Sequence, residues 1–229
     1  MMSFVQKYIE PDYPVFQVSE TARDALVQLH EQGLREAPVM KEGKLLAVVS
    51  IDDLRLALDE EGADETGLRL EHMALENPEQ VCPDEHILDI YEKLSNTSPD
   101  ILAVTSGSGG YEGVITKSGI LEQIGFLYHF SEQGATLELE APALGVKVSE
   151  IISVIEKNDA MVLSFGITEP DPGAQSMVMT FRIQCQDIYR LVTNLEKYGY
   201  LIRYARSSEG GGVDELREKA LEFMRYIDM

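Results

Sequence analysis

The chain has 229 residues, 44% hydrophobic and 26% charged, enough apolar character for a folded core and enough length for two modest domains. Its 40 acidic and 19 basic side chains leave a formal charge of −21, a field that repels phosphate backbones and anionic lipid heads and so excludes nucleic acid and membrane surfaces as leading partners. Two cysteines, Cys82 and Cys185, cannot make a disulfide framework, the start MMSFVQKYIEP lacks the signal-peptide pattern, and charges interrupt every apolar run before the about 18 to 20 residues that cross a bilayer. The expected location is the cytoplasm.

In chain order, the stripe Ala22, Ala25, Leu26, Leu29 predicts an amphipathic helix. A polar loop GLRE, a strand at Ala37-Pro38-Val39, a turn KEGK, a strand LLAVVS and a helix with Leu54 and Leu58 follow. The pattern then returns. Ile87, Ile90, Tyr91 and Leu94 repeat the stripe at one constant offset, Leu102-Ala103-Val104 repeats the strand at that same offset, and SGSGGYEG supplies the turn. GVIT and a helix with Ile120 and Ile124 complete the second copy, where one extra position has lengthened the offset. A unit of about 60 residues buries little core alone, so the two copies are expected to pair sheet faces as one pseudo-twofold module. That module spans residues 1–130, with repeats of about 1–65 and 66–130.

The order apolar-Pro-Val, hairpin, then apolar-apolar-Ser/Thr-x-x-Asp at a helix start resembles the cystathionine β-synthase (CBS) domain. The first copy carries it as Ala37-Pro38-Val39 and Val48-Val49-Ser50-Ile51-Asp52-Asp53, with Ala47 in place of the family glycine. The second has Gly113-Val114-Ile115-Thr116-Lys117-Ser118-Gly119, keeping the glycine and the threonine and replacing the aspartate by Gly119.

Beyond residue 130, Leu137, Leu139 and Ala141 alternate with Glu138 and Glu140, the period of a strand with one wet face. A helix with Val148, Ile151, Ile152 and Ile155 follows, then strands marked by Met161, Leu163, Phe165, Ile167 and by Met177, Met179, Phe181, Ile183, joined through TEPDPGAQS. A helix with Ile188, Leu191, Val192 and Leu195 and a strand with Tyr200, Ile202 and Tyr204 complete β-α-β-β-α-β over 131–206, a ferredoxin-like arrangement. With Gly145 at the strand-to-helix turn and Asn158-Asp159 before the second strand, this unit resembles an ACT domain, which implies an effector turn at Gly145 and Asn158. From 207 to 229, SSEGGG reads as a linker before an amphipathic tail helix with Val213, Leu216, Ala220, Phe223, Met224 and Ile227. The fold class is therefore α+β. The order CBS pair, ACT-like unit, tail is similar to acetoin-utilisation accessory-type bacterial regulators.

The CBS resemblance implies an adenosine ligand near Ser50, Asp53, Ala37, Val39, Thr116 and Lys117. Helix N–H groups and the Ser50 hydroxyl would meet a phosphate, and Asp53 would accept from ribose hydroxyls. The alternative is that Ser50 merely caps the helix and Asp53 sits in its first turn. Without a carboxylate at Gly119, the second half-site is the weaker. AMP, ADP, ATP and adenosyl compounds are the candidate ligands, with the acidic balance favouring those of low charge. Gly107, Gly109, Gly110 and Gly113 precede a strand instead of opening a helix, so they read as a hairpin turn and not a dinucleotide loop. His30, His72, His86 and His129 show no metal-ligand spacing, and neither cysteine has a nucleophile's setting. No catalytic or metal site is expected. The reading is a non-catalytic nucleotide sensor that forms a homodimer and acts on an unknown protein partner; the alternative is a ligand-free scaffold.

Overall fold

A computed structural model of the chain describes residues 3–61, 67–142, 145, 147–168 and 175–208. They fall into two units that divide between Ile124 and Gly125. The expected tail helix and most of the linker before it lie outside the described residues.

In the first unit each repeat builds the same small sheet. β1 (Phe16–Gln17) runs parallel to β2 (Glu36–Lys41), which pairs antiparallel with β3 (Lys44–Ser50). After α1 (Ala22–Gln32) and α2 (Ile51–Glu61), β4 (Gln80–Val81), β5 (Ile101–Thr105) and β6 (Tyr111–Thr116) repeat those pairings, flanked by α3 (Tyr91–Asn96) and α4 (Lys117–Leu127). Phe16 pairs with Val39 and Val81 with Val104, so both partners shift by the offset that relates the two stripes. Ala22, Ala25 and Leu29 bury against Ala37, Val39 and Leu54 in one core, and Ile87, Ile90 and Leu94 against Leu102, Val104 and Ile120 in the other.

Each core is closed by a segment borrowed from the other repeat. The 3-10 turn Val5–Lys7 packs Val5 into the second core, and the turn Leu70–His72 packs Leu70 into the first. The backbone bonds correspond one to one. Val5 N–H donates to Glu85 O and Leu70 N–H to Glu20 O, both at 3.0 Å. Gln6 N–H donates to Pro83 O and Glu71 N–H to Val18 O, while Ile87 N–H reaches Ser3 O and Ala22 N–H reaches Leu68 O. The antiparallel bridges Phe4 to His86 and Thr21 to Arg69 continue the correspondence. From one member of each pair to the other, donor and acceptor move by that same offset in opposite senses, as a twofold requires.

The helical stripes diverge between copies. Thr21 Oγ1 accepts from Asp24 N–H at 3.1 Å and caps α1, and Gly33 in the left-handed region ends it after 11 residues. At the position corresponding to Thr21 the second copy has His86, whose Nδ1 accepts from Leu88 N–H instead. The helix there is delayed to Tyr91, and α3 has six residues. Tyr91, expected on the buried stripe, is exposed as a result.

Gly113 lies at φ 140°, and a Cβ there would meet Glu10 O at 2.7 Å, because Glu10 bridges to Val114. Gly113→Ala is expected to destabilise the second repeat by about 1–3 kcal/mol, the range for a backbone held where only glycine is at ease. A denaturant titration checks this, and an unchanged midpoint contradicts it.

The second unit contains β7 (Ala135–Pro142), α5 (Val148–Lys157), β8 (Met161–Thr168), β9 (Ser176–Gln184), α6 (Ile188–Lys197) and β10 (Leu201–Ser207). The sheet order is β10-β7-β9-β8, antiparallel throughout. Leu137, Leu139, Met179 and Phe181 share one core with Ile151 and Ile155 of α5 and Leu191 and Leu195 of α6, so both helices cover the same face. On the outer face Leu201 and Val178 both stand in register with Glu140, which pairs with Arg203. Together with Glu138, Thr180 and Arg182, this makes the outer face mixed instead of apolar.

Candidate functional site

Where β3 runs into α2, Ser50 and Asp53 close a reciprocal capping box. Ser50 Oγ accepts from Asp53 N–H at 3.1 Å, while Asp53 Oδ2 accepts from Ser50 N–H at 2.9 Å and from the Ser50 hydroxyl at 2.7 Å. The cap explains why a helix starts immediately after a strand: two otherwise orphaned N–H groups are satisfied locally. Both bonds to Asp53 fall on Oδ2, and among the described residues its Oδ1 accepts none. The exposed carboxylate thus holds the helix end with one oxygen and leaves the other without a donor among the described residues.

The corresponding junction of the second repeat is simpler. Thr116 Oγ1 accepts from Gly119 N–H at 3.1 Å, and a Cβ at Gly119 would lie 2.8 Å from that hydroxyl. Lys117, expected to face a phosphate, turns its ammonium onto Thr97 O, a part-buried contact within its own repeat. Its main-chain N–H donates to Asp100 O, the counterpart of Ile51 N–H on Arg35 O.

Ala37 and Val39 are fully buried, and their side chains belong to the first core. Their side chains therefore offer no exposed surface, and it is the other face of β2 that reaches the second repeat. The opposite face begins with Glu36, which the sequence places in a polar loop and the structure places in β2. Buried Glu36 reaches across to the second repeat, where Oε1 accepts from Ile101 N–H at 2.8 Å and the Asp100 amide also donates. Burial raises its carboxyl above the ordinary range and the Asp100 charge adds to this, against the two backbone bonds and Lys117, which lower it.

Tyr13 donates its hydroxyl to Glu36 O at 3.1 Å, and burial, with Glu36, Glu10 and Asp100 nearby, pushes this phenol up to about 12. Tyr111 is likewise pushed up to about 12 by burial and by Tyr13, and its buried hydroxyl has no hydrogen-bond partner among the described residues. A recess of about 560 Å³ opens beside Tyr13, lined also by Glu10, Asp12, Gln32 and Leu34. Sequence periodicity could not find Glu36, Tyr13 or Tyr111, since none belongs to the repeated motif.

In the second unit the two expected effector residues are separated by the length of α5. Gly145 precedes the helix, and Asn158 caps its far end, where Nδ2 donates to Val154 O at 2.8 Å and Oδ1 accepts from Asn194 of α6. A recess of about 750 Å³ at that far end is lined by Glu156, Asp159, Gln184, Cys185 and Asp187, and by neither Gly145 nor Asn158. Cys82 and Cys185 are free, half-buried thiols, and burial beside Asp187 raises Cys185. Among the described residues no helix is long and apolar enough to cross a membrane, and no three His, Cys, Asp or Glu groups are placed to hold a metal ion.

Comparison with curated proteins gives no match. Among solved structures, CBSX2, a CBS-pair protein from Arabidopsis thaliana, is 22% identical with a TM-score of 0.48, the match covering 54% of this chain and 95% of that one. CbpB in complex with c-di-AMP is 23% identical with a TM-score of 0.49, covering 57% and 89%. A CBS domain pair/ACT domain protein from Thermotoga maritima is 22% identical with a TM-score of 0.46, covering 53% and 95%. Residues 5–60 match the family described as the CBS domain, and with the second repeat returning the strand pairings and exchanged contacts of the first at a constant offset, the first unit has the fold of a CBS-domain pair.

Proposed function

We propose that this chain is a non-catalytic cytoplasmic regulator whose CBS pair senses an adenosine nucleotide and whose ferredoxin-like, ACT-type unit dimerises or takes a small effector. The observation that carries the reading is the Ser50–Asp53 junction, in which a capped helix start and an exposed carboxylate with a spare oxygen lie within the stretch that matches the CBS domain. Helix N–H groups there favour a phosphate, and Asp53 Oδ1 favours ribose hydroxyls. Glu36, Asp100 and Glu10 around Tyr13 disfavour a bare triphosphate, so AMP or an adenosyl compound fits better than ADP or ATP. Ligand binding would act by linkage, favouring one arrangement of the repeats and so changing what a protein partner meets. For the second unit, Gly145 remains the candidate effector turn, with Asn158 tying α5 to α6 instead.

Asp53→Ala removes charge-assisted hydrogen bonds of about 1.5–3 kcal/mol, and nucleotide affinity is expected to fall about 10- to 150-fold. Because the variant also loses half of the capping box, stability should drop by about 0.5–2 kcal/mol, as for other lost caps. Ser118→Ala, on the exposed rim of the second junction, should leave binding intact. Calorimetry with AMP, ADP, ATP and an adenosyl compound reads all three proteins. The scaffold reading is favoured by Gly119, which lacks a carboxylate, and by Lys117, which is committed to Thr97 O. It prevails if wild type binds none of these ligands at millimolar concentration, or if Asp53→Ala binds as wild type does.

A further inference from the structure

Strand register sets Glu36 beside the cap of α2. Glu36 pairs with Ser50 across β2 and β3, and directly opposed residues of an antiparallel pair put their side chains on one face, with Cβ atoms about 4.5–5.5 Å apart. That face is turned away from the core of the first repeat, since the neighbours Ala37 and Val49 are buried in that core. The carboxylate is therefore close to the Ser50 hydroxyl and the start of α2, where the proposed reading puts a phosphate. At the corresponding place in the second repeat Ile101 pairs with Thr116, so of the two junctions only the first has an acid in register with its cap. Glu36 is 6% exposed and its Oε1 accepts from Ile101 N–H, which holds it out of water beside any anion that arrives. Around it stand Asp100 before β5, Lys117 at the start of α4, and Tyr13 with Glu10 from the chain before β1, with Tyr111 beside Tyr13 and Asp53 beyond Ser50. Of these groups Lys117 is the cation, and its ammonium is turned onto Thr97 O.

We infer that Glu36 makes binding at this junction sensitive to ligand charge: an adenosyl ligand that brings a phosphate to Ser50 binds with uptake of a proton onto Glu36, and one without a phosphate does not. This inference rests on the proposed nucleotide reading and adds a regulation to it. Two anions this close in a water-poor setting repel strongly, and burial and Asp100 already favour the proton on the carboxylate. Protonation removes the repulsion without breaking the contact to the second repeat, because the carboxyl group keeps a carbonyl oxygen for the Ile101 amide and gains an O–H that can donate to the phosphate. The sign follows from linkage. A ligand that prefers the protonated protein binds with proton uptake, so its affinity falls as pH rises through the range in which Glu36 ionises. The junction would then respond to phosphate and pH together, and to an uncharged ligand independently of this proton.

Calorimetry at about pH 7, where most of the AMP phosphate is already ionised, counts the protons bound with each ligand when it is repeated in buffers of differing ionisation enthalpy. Wild type is expected to take up more protons with AMP than Glu36→Gln does, and neither should take up any with adenosine. Glu36→Gln keeps an acceptor for the Ile101 amide, so it should bind AMP about tenfold more tightly than wild type while binding adenosine equally. Equal proton uptake by the two proteins, or tightening that extends to adenosine, overturns the role of Glu36 and leaves the nucleotide reading standing. Adenosine binding without AMP binding also overturns it. Should no adenosine compound bind at millimolar concentration, the nucleotide reading and this inference fail together. Infrared difference spectra of wild type need no variant to fold: AMP should convert a carboxylate to a protonated carboxyl and adenosine should not, and a carboxyl region that AMP leaves unchanged overturns the inference.

Discussion

Deleting residues 1–10 should leave the first CBS repeat folded and open the second. The deletion removes Val5, whose burial contributes about 1.5–3 kcal/mol. It also removes the backbone bonds from Val5 to Glu85, from Gln6 to Pro83 and from Ile87 to Ser3, each of about 0.5–1.5 kcal/mol, and the Glu10 bridge to Val114. The sum is a large part of the about 5–15 kcal/mol that holds a domain together. Hydrogen exchange resolved along the chain should show residues 80–116 losing protection while residues 16–50 keep theirs. Point variants should act crosswise: Val5→Ala should loosen 80–116, and Leu70→Ala, costing about 2–5 kcal/mol, should loosen 16–50. Uniform loss of protection, or effects confined to the repeat nearest in sequence, would refute the exchange.

The second large effect is expected at Glu36. Glu36→Ala leaves the Ile101 and Asp100 amides without their acceptor, about 1–3 kcal/mol for each orphaned N–H. Glu36→Gln keeps an acceptor and removes the charge, so it separates the bond from the titration. The native carboxyl is raised by burial and by Asp100, opposed by the amides of Ile101 and Asp100 and by Lys117, with Tyr13 against the main chain of Glu36. Between the ordinary glutamate value of about 4.3 and the raised native value, the folded state holds this proton more tightly than the unfolded state. Stability from Glu36 is therefore fully present below the ordinary value, declines as pH rises through the raised one, and is constant above it. Thermal melts of wild type and Glu36→Gln should converge in acid and separate towards neutral pH, with the variant the more stable there. Parallel curves at all pH values would show that this carboxyl does not titrate abnormally.

Much of this fold is legible in the chain because period and offset are properties of many residues at once. The stripe at Ala22, Ala25 and Leu29 recurs at Ile87, Ile90 and Leu94, and the βαββαβ order shows in simple alternation. Ser50 as a helix cap with Asp53 in the first turn is legible as one of the two readings of that junction, and the structure forms this cap and adds the return bond from Ser50 N–H to Asp53. Three features resist such reading. In Glu36–Met40 every residue is buried, on both faces, so no alternation says that Ala37 and Val39 meet the core of their own repeat while Glu36 meets the other repeat. Glu36 looks like loop polarity because its partner is a backbone amide in the other repeat. The exchange of Val5 and Leu70 rests on single apolar residues in polar surroundings and on main-chain bonds, neither of which side-chain pattern encodes.

The exchanged segments also impose an order on synthesis. Once residue 75 has left the ribosome, the first repeat has every part of its core, the Leu70 turn with Met73 and Leu75 being the last to arrive. The segment around Val5 is made before the first repeat, yet its binding place among Glu85, Ile87 and Val104 appears only after that whole repeat has been synthesised. Throughout that interval an apolar segment waits beside a nearly finished neighbour of related shape. The two docking places are not equivalent: Phe4 pairs at His86, where the corresponding position in the first repeat holds Thr21. The Phe4 ring meets the His86 imidazole edge-on at 5.9 Å, a contact that a threonine cannot offer.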